Sequence, residues 1–208
     1  MVHTPEALAR QEERTERRRR QVMDAASYCF RTEGFHAASM NRIAAQAEMS
    51  VGHIYKLFDS KEAIIIALCE RDFQELTELT PLPPPCEAPS LETTMATALK
   101  DFAWFLDRDR AARTMEVIAE AGRNPAIRNL VGSIDARMRE RVRVFLASHL
   151  PGIPPKDLEA RVEQLVLLIQ GLSARIITRP DVDAAVRATG YEICLRALLQ
   201  PGRSDTPS

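Results

Sequence analysis

The chain has 208 residues, of which 45% are hydrophobic, enough to bury a real core as one domain or as a small one joined to a larger. Its formal net charge is −1, so it is no polybasic coat for nucleic acid, although a DNA reader needs only a local positive face. Four separated cysteines (Cys29, Cys69, Cys86 and Cys194) form no C-x-x-C pair, the N-terminus lacks a signal peptide's apolar core, and no apolar run is long enough to span a bilayer. The expectation is a cytoplasmic protein with reduced, structural thiols, no cofactor, no metal and no membrane partner.

In chain order, Thr4-Pro5-Glu6 reads as cap, first-turn proline and acidic first-turn residue. The stretch after it has almost no apolar stripe, so order is expected only from about residue 15. Val22, Ala25, Ala26, Cys29 and Phe30 fall at helical spacing, and Gly34 ends that helix. Ser39 can cap a second helix that buries Met40, Ile43, Ala44 and Ala47. After a turn at Glu48-Met49, Ser50 can cap a third, from Val51 to about Leu57, that buries Val51, Ile54 and Phe58. Ser60 begins a fourth, which runs through Ile65, Leu68, Phe73 and Leu76 toward Pro81.

Pro81, Pro83, Pro84, Pro85 and Pro89 forbid a continuous helix there, and a stiff exposed connector is expected. Helical patterns follow at roughly 90–107, 109–121, 124–148, 155–178 and 181–199, the last capped by Asp181, with a disordered tail at 201–208. The class is all-α. The domain reading is 1–60 for DNA, 61–200 for a larger helical body, and 201–208 as tail.

The stretch from Gly34 to Lys61 makes the most specific chemical statement. It holds two short helices joined by a tight turn, and the second carries small, polar, aromatic and basic groups outward, as a helix entering the major groove requires. Gly34-Phe35, Ser39, Ile43-Ala44, Ala47, Ser50, Gly52, Tyr55, Phe58 and Lys61-Glu62 follow one known spacing without a gap. On these residues the chain resembles the TetR/AcrR family of bacterial transcriptional regulators. Glu48 departs from the glycine that family often has in the inter-helix turn, and Lys56 stands where an aromatic or histidine is common. Base preference is therefore not carried over.

The residues support physical roles of their own. Gly52 lets the start of the third helix approach a duplex closely. His53 and Lys56 lie three apart and can reach phosphates or base edges, and Tyr55 can set its ring against sugar or a thymine methyl. The helix starts at Ser39 and Ser50 offer N–H groups to phosphate. Lys61, in a first turn, opposes the helix dipole by up to about 1 kcal/mol, a cost that a bound phosphate would reverse. Asn41, Arg42 and Arg18 are further candidates. Each also has a plain reading as a solvated surface group, and the basic run around Arg18 can pair with Glu13 and Glu16.

So short a reading helix calls for two copies on double-stranded DNA with a two-fold-related operator, hence a homodimer. Leu165, Ile169, Leu172 and Ile176 form a wide stripe, and Tyr191 and Leu195 extend a second, so these two helices are the expected interface. The resemblance implies a small-molecule effector held among the middle helices. Phe73, Phe102, Phe105, Met115, Ile118, Met138, Phe145 and Gln170 are the candidates for an apolar or amphipathic one. The implied function is a repressor released from its operator by that effector, through head spacing changed by a swinging fourth helix. A constitutive DNA-binding or protein-interaction module with a filled core is the alternative. An enzyme would need more than the carboxylate pair Glu116 and Glu120 with a distant His149, and no H-E-x-x-H, phosphate loop or nucleophile elbow is present.

Overall fold

The computed structural model describes residues 5–79, 81–82 and 90–200, the side chain of Asp101 excepted. The cap at Thr4, the prolines at 83–85 and 89, Cys86 and the tail 201–208 lie outside the described residues. Among the described residues there are nine α-helices and no strand. They are α1 (Pro5–Glu33), α2 (Met40–Gln46), α3 (Val51–Tyr55), α4 (Lys61–Leu79), α5 (Leu91–Phe105), α6 (Arg108–Ala121), α7 (Pro125–His149), α8 (Pro155–Thr178) and α9 (Ala184–Leu198).

The helix starts and stops follow local chemistry. Ser39 and Ser50 cap α2 and α3, their hydroxyls accepting from the backbone N–H of Arg42 at 3.1 Å and of His53 at 3.2 Å. Gly34 ends α1 at φ 81°, a left-handed conformation that costs glycine little. The first helix begins at Pro5, where the cap and first-turn signals fall. One expectation needs correction. The cap of α9 is Asp183, which accepts from Ala185 N–H at 2.7 Å, whereas Asp181 takes the Arg179 guanidinium at 2.9 Å.

The chain divides into two compact units, one made of residues up to Phe73 with Glu116–Leu130, the other of Gln74–Met115 with Val131 onward. In the first, α1 packs on α2 and α2 on α3. Val22, Ala26 and Phe30 of α1, Ile43 of α2, Ile54 of α3, and Ile64, Ile65 and Leu68 of α4 are fully or almost fully buried. Burying each large apolar side chain of this kind stabilises by about 1.5–3 kcal/mol. Three short helices alone would be marginal, and the start of α4 supplies the missing apolar surface. Gln21 Nε2 donates to the Ala47 carbonyl at 2.8 Å and so ties α1 to the inter-helix turn.

That turn holds the one non-glycine residue with positive φ among the described residues, Glu48 at 52°. An L-residue pays about 1–2 kcal/mol to sit there, whereas glycine pays about 0.5–1 kcal/mol in chain entropy. Glu48→Gly is therefore expected to raise the melting temperature by roughly 1–3 °C in a thermal melt, at the exchange rate for a chain of this size. A fall would mean that the Glu48 side chain contributes something its exposed position does not show.

In the second unit α5 packs on α8 and α9, and α8 on α9. Its core gathers Met95, Ala98, Phe102, Val142, Leu146, Val162, Leu165, Val166, Leu172, Tyr191 and Leu195. Phe102 stacks on Tyr191 with centroids 4.8 Å apart. On the surface, Arg143 bridges Glu159 at 2.8 Å and also reaches Glu140, joining α7 to α8. The Arg143 guanidinium holds the Glu159 carboxyl below the usual carboxylate range. That contribution is present above the unfolded value and fades as pH falls through the lower folded one.

Candidate nucleic-acid interface and ligand cavity

The third helix is built to be read from outside. Ile54 points inward with no exposure, and Gly52, His53, Tyr55 and Lys56 all face solvent, Tyr55 at 50%. At Gly52 the φ is not positive, and a Cβ built on it would meet nothing within 4 Å. Neither backbone strain nor packing requires glycine there, and helix propensity disfavours it by about 0.8–1.0 kcal/mol against alanine.

Ser39, Asn41 and Ser50 are exposed beside this face, but several neighbouring cations are engaged within the protein. Arg42 pairs with Glu33 at 2.6 Å, and the carboxylate raises the guanidinium's proton affinity further. Lys61 donates to the Phe35 carbonyl at 2.5 Å, and its ammonium lies 4.4 Å from the Phe35 ring centroid. The expected phosphate cation thus spends one N–H on a carbonyl, which also relieves its conflict with the α4 dipole, and a second faces the His36 carbonyl at 3.4 Å. Arg18 bonds Gln21 at 3.2 Å. Arg19 donates to the Leu57 carbonyl and lies over the Phe58 ring at 4.1 Å, clamping the end of α3 to α1. Nothing in the local pattern separates Arg19 from its neighbours, because its targets lie 38 or more residues away.

The loop between α1 and α2 is held from α6. Glu116 Oε2 accepts from Phe35 N–H at 3.2 Å, and Glu120 takes His36 at 2.8 Å and Arg123 at 3.1 Å with only 7% of its side chain exposed. Sequence reasoning placed these two carboxylates on one face, and they are, but their work is to dock the loop that leads into α2. Among the described residues no group of three His, Cys, Asp or Glu side chains could hold a metal ion.

The second unit contains a cavity of about 210 Å³. Three expected effector residues, Phe105, Met138 and Phe145, line it. The other five do not line it. Phe102 is 2% exposed in the core, with Tyr191 stacked on it, because its ring completes the α5–α9 packing. Phe73 and Ile118 belong to the first unit, where Phe73 is buried and Ile118 exposed. Met115 is half-buried off the lining, and Gln170 is exposed and bonded to Asp135 at 3.1 Å. Leu165, Ile169 and Tyr191, expected at a dimer interface, line the cavity. Sequence reasoning missed Thr93, Thr94 and Thr97 altogether, since threonines on a helix give no periodic apolar signal.

Two family models cover most of the chain. "Bacterial regulatory proteins, tetR family" matches residues 22–68, and "Tetracyclin repressor-like, C-terminal domain" matches residues 90–201. The chain belongs to the TetR family of bacterial regulatory proteins. It is similar to the transcriptional regulator UidR of Escherichia coli K12, 28% identical over 184 residues, 87% of this chain and 90% of that one. Among solved structures it is similar to Salmonella enterica GusR, 25% identical with a TM-score of 0.69, over 88% of this chain and 95% of that one. It also resembles the flavonoid-responsive regulator FrrA, 26% identical with a TM-score of 0.65, over 88% of this chain and 96% of that one.

TetR-family membership makes the protein a DNA-binding, helix-turn-helix transcriptional regulator and not an enzyme. In this regulator the expected interface residues Leu172, Ile176 and Leu195 are buried within the single chain, as are Leu165 and Tyr191. The widest apolar stripe of each helix packs inward first, because the core of its own unit is the nearest apolar surface. What α8 and α9 leave outside is a second, thinner stripe with Leu167 at 57%, Val186 at 63% and Ile193 at 63% exposed. Cys194 is exposed as well, so it is no buried structural thiol, whereas Cys29 is buried and Cys69 half-buried. No helix among the described residues is long and apolar enough to cross a membrane.

Proposed function

We propose that this TetR-family regulator is a repressor, dimeric on a two-fold operator and released by a small amphipathic effector bound in the cavity of the second unit. The observation that carries the DNA side is the outward face of α3, with a glycine the fold itself does not need. On this reading Gly52 brings the helix against the duplex, and His53, Tyr55 and Lys56 supply the groove and backbone contacts. Ser39, Asn41 and Ser50 flank them. Lys61 contributes only through the N–H directions that Phe35 and His36 leave open. The cavity supports the responsive reading over a constitutive one, and a relative described as flavonoid-responsive supports it further.

The release step is a shift between two head spacings. The effector must bind one state better than the other, and about 1.4 kcal/mol of difference changes their ratio tenfold. The lever is α4, one continuous helix whose residues belong to both units. Operator affinity measured with and without a compound bound in the cavity tests this. A fall of tenfold or more is expected, and an unchanged affinity at saturating compound would contradict it.

The exposed stripe of α8 and α9 is the proposed dimer surface. Gln164, Leu167 and Gly171 share one face of α8, and Val186, Gly190, Ile193 and Ala197 share one face of α9, spaced three and four apart. Two copies of this helix pair make a four-helix contact in which Gly171 and Gly190 permit close backbone approach. Ile193→Asp is expected to shift the protein from dimer to monomer in sedimentation analysis and to weaken operator binding. A variant that stays dimeric would move the interface elsewhere.

A further inference from the structure

The N-terminal part of α1 is a stretch of helix that the fold does not use. From Pro5 to Arg17 every residue is exposed, Leu8 at 46% among them, and the first buried residue of the helix is Val22. A helix that buries no apolar face gains nothing from packing, so this stretch is held only as a continuation of the buried part of α1.

Its charges are separated by face rather than present in excess. Arg10, Arg14, Arg17 and Gln21 fall four, three and four apart and so share one side. Leu8, Gln11, Glu12, Thr15 and Glu16 share another, along a shallow groove. Glu6 and Glu13 stand four residues before Arg10 and Arg17, at a spacing that permits ion pairs. Neither pair forms. Arg20 takes Glu16, Arg18 bonds Gln21, Arg19 donates to the Leu57 carbonyl and Arg31 lies over the Tyr28 ring. Of the α1 arginines, Arg10, Arg14 and Arg17 are the ones with no partner among the described residues.

That side runs on into the reading head. Gln21 Nε2 ends on the Ala47 carbonyl at 2.8 Å, beside the turn that leads into α3. From Arg10 to Arg17 the helix rises about 10 Å, the axial length of about three base pairs. Three unengaged guanidinium groups spaced along such a line match a run of phosphates, to which each offers a planar fork of donors. We propose that the Arg10, Arg14 and Arg17 side of α1 is a second DNA contact, holding phosphates while α3 reads bases. The proposal rests on the reading of α3 above and adds a surface to it. These arginines precede residues 22–68, where the DNA-binding family model matches, so family membership gives them no role.

Fluorescence anisotropy over a range of salt concentrations tests it, with the full chain, the duplex enriched by selection and an unrelated duplex of equal length. The variant Arg10→Gln/Arg14→Gln/Arg17→Gln is expected to bind both duplexes about tenfold or more weakly, and by a similar factor, because phosphate contacts carry no sequence information. The slope of log affinity against log salt is expected to become shallower by at least about two, at roughly 0.9 for each phosphate neutralised. Arg10→Lys/Arg14→Lys/Arg17→Lys is expected to keep most of the affinity and the slope, and both variants to melt with the native chain. Selection with the glutamine variant is expected to enrich the same inverted repeat. Unchanged affinity and slope would overturn the inference. So would a loss confined to the enriched duplex, or a changed repeat, since either would make these arginines readers of bases. A native chain that enriches nothing would fail the α3 reading alone, because the phosphate contact is judged on the unrelated duplex.

Discussion

Gly52→Leu is expected to abolish operator binding while leaving the protein as stable as before or slightly more so. The two effects have opposite signs because they have separate causes. On the protein side a new Cβ meets nothing within 4 Å, and the backbone there is ordinary helix. Replacing glycine in a helix gains about 0.8 kcal/mol in propensity, which for a chain of this size raises the melting temperature by roughly 1–3 °C. On the DNA side a four-carbon side chain projects from the face that has to approach the duplex. Loss of the contacts around it is expected to weaken binding by about a hundredfold or more, equivalent to roughly 2.7 kcal/mol. Fluorescence anisotropy with a selected operator, beside a thermal melt, reads both. A variant that melts earlier and binds normally would show that glycine serves the fold.

Phe102→Ala is expected to be the most damaging single change in the second unit. Phe102 is 2% exposed and stacked on Tyr191, itself buried, and the pair joins α5 to α9. Removing a buried ring costs about 3–5 kcal/mol, through lost transfer energy and the void left behind. The melting temperature is then expected to fall by roughly 6–20 °C. The same change separates a core role from an effector role. A variant that keeps its melting temperature and loses only ligand affinity would put the ring on the cavity wall, against its observed packing.

The sequence was most legible where function imposes local rules. Ser39 and Ser50 as caps, Gly34 as a helix stop and Ile54 opposite an exposed Tyr55 are all set by neighbours within a few positions, and each stands as expected. Contacts at long separation were not legible. Arg19 on Leu57, Lys61 on Phe35, and Glu116 and Glu120 on the Phe35–His36 loop join residues between 26 and 84 positions apart, and no periodicity encodes such a pair.

The second unit shows the limit of apolar patterning. A wide stripe on α8 and α9 says that those faces are buried, but not against what. Leu172 and Leu195 join the core of their own unit, Ile176 is buried within the single chain, and Leu165, Ile169 and Tyr191 border the cavity. The stripe left exposed is thinner and carries glycines, which hydrophobic pattern ignores. Part of the cavity's lining was hidden for a related reason. Thr94 and His149, which meet at its wall, are 55 residues apart.

The account turns on α3 meeting base edges from two copies at once. Selection of bound duplexes from a random pool by the full chain, with the Gly52→Leu variant run in parallel, addresses that most directly. The expected result is enrichment of an inverted repeat by the native chain and of nothing by the variant. Enrichment of the same sequence by both, or of none by either, would contradict it.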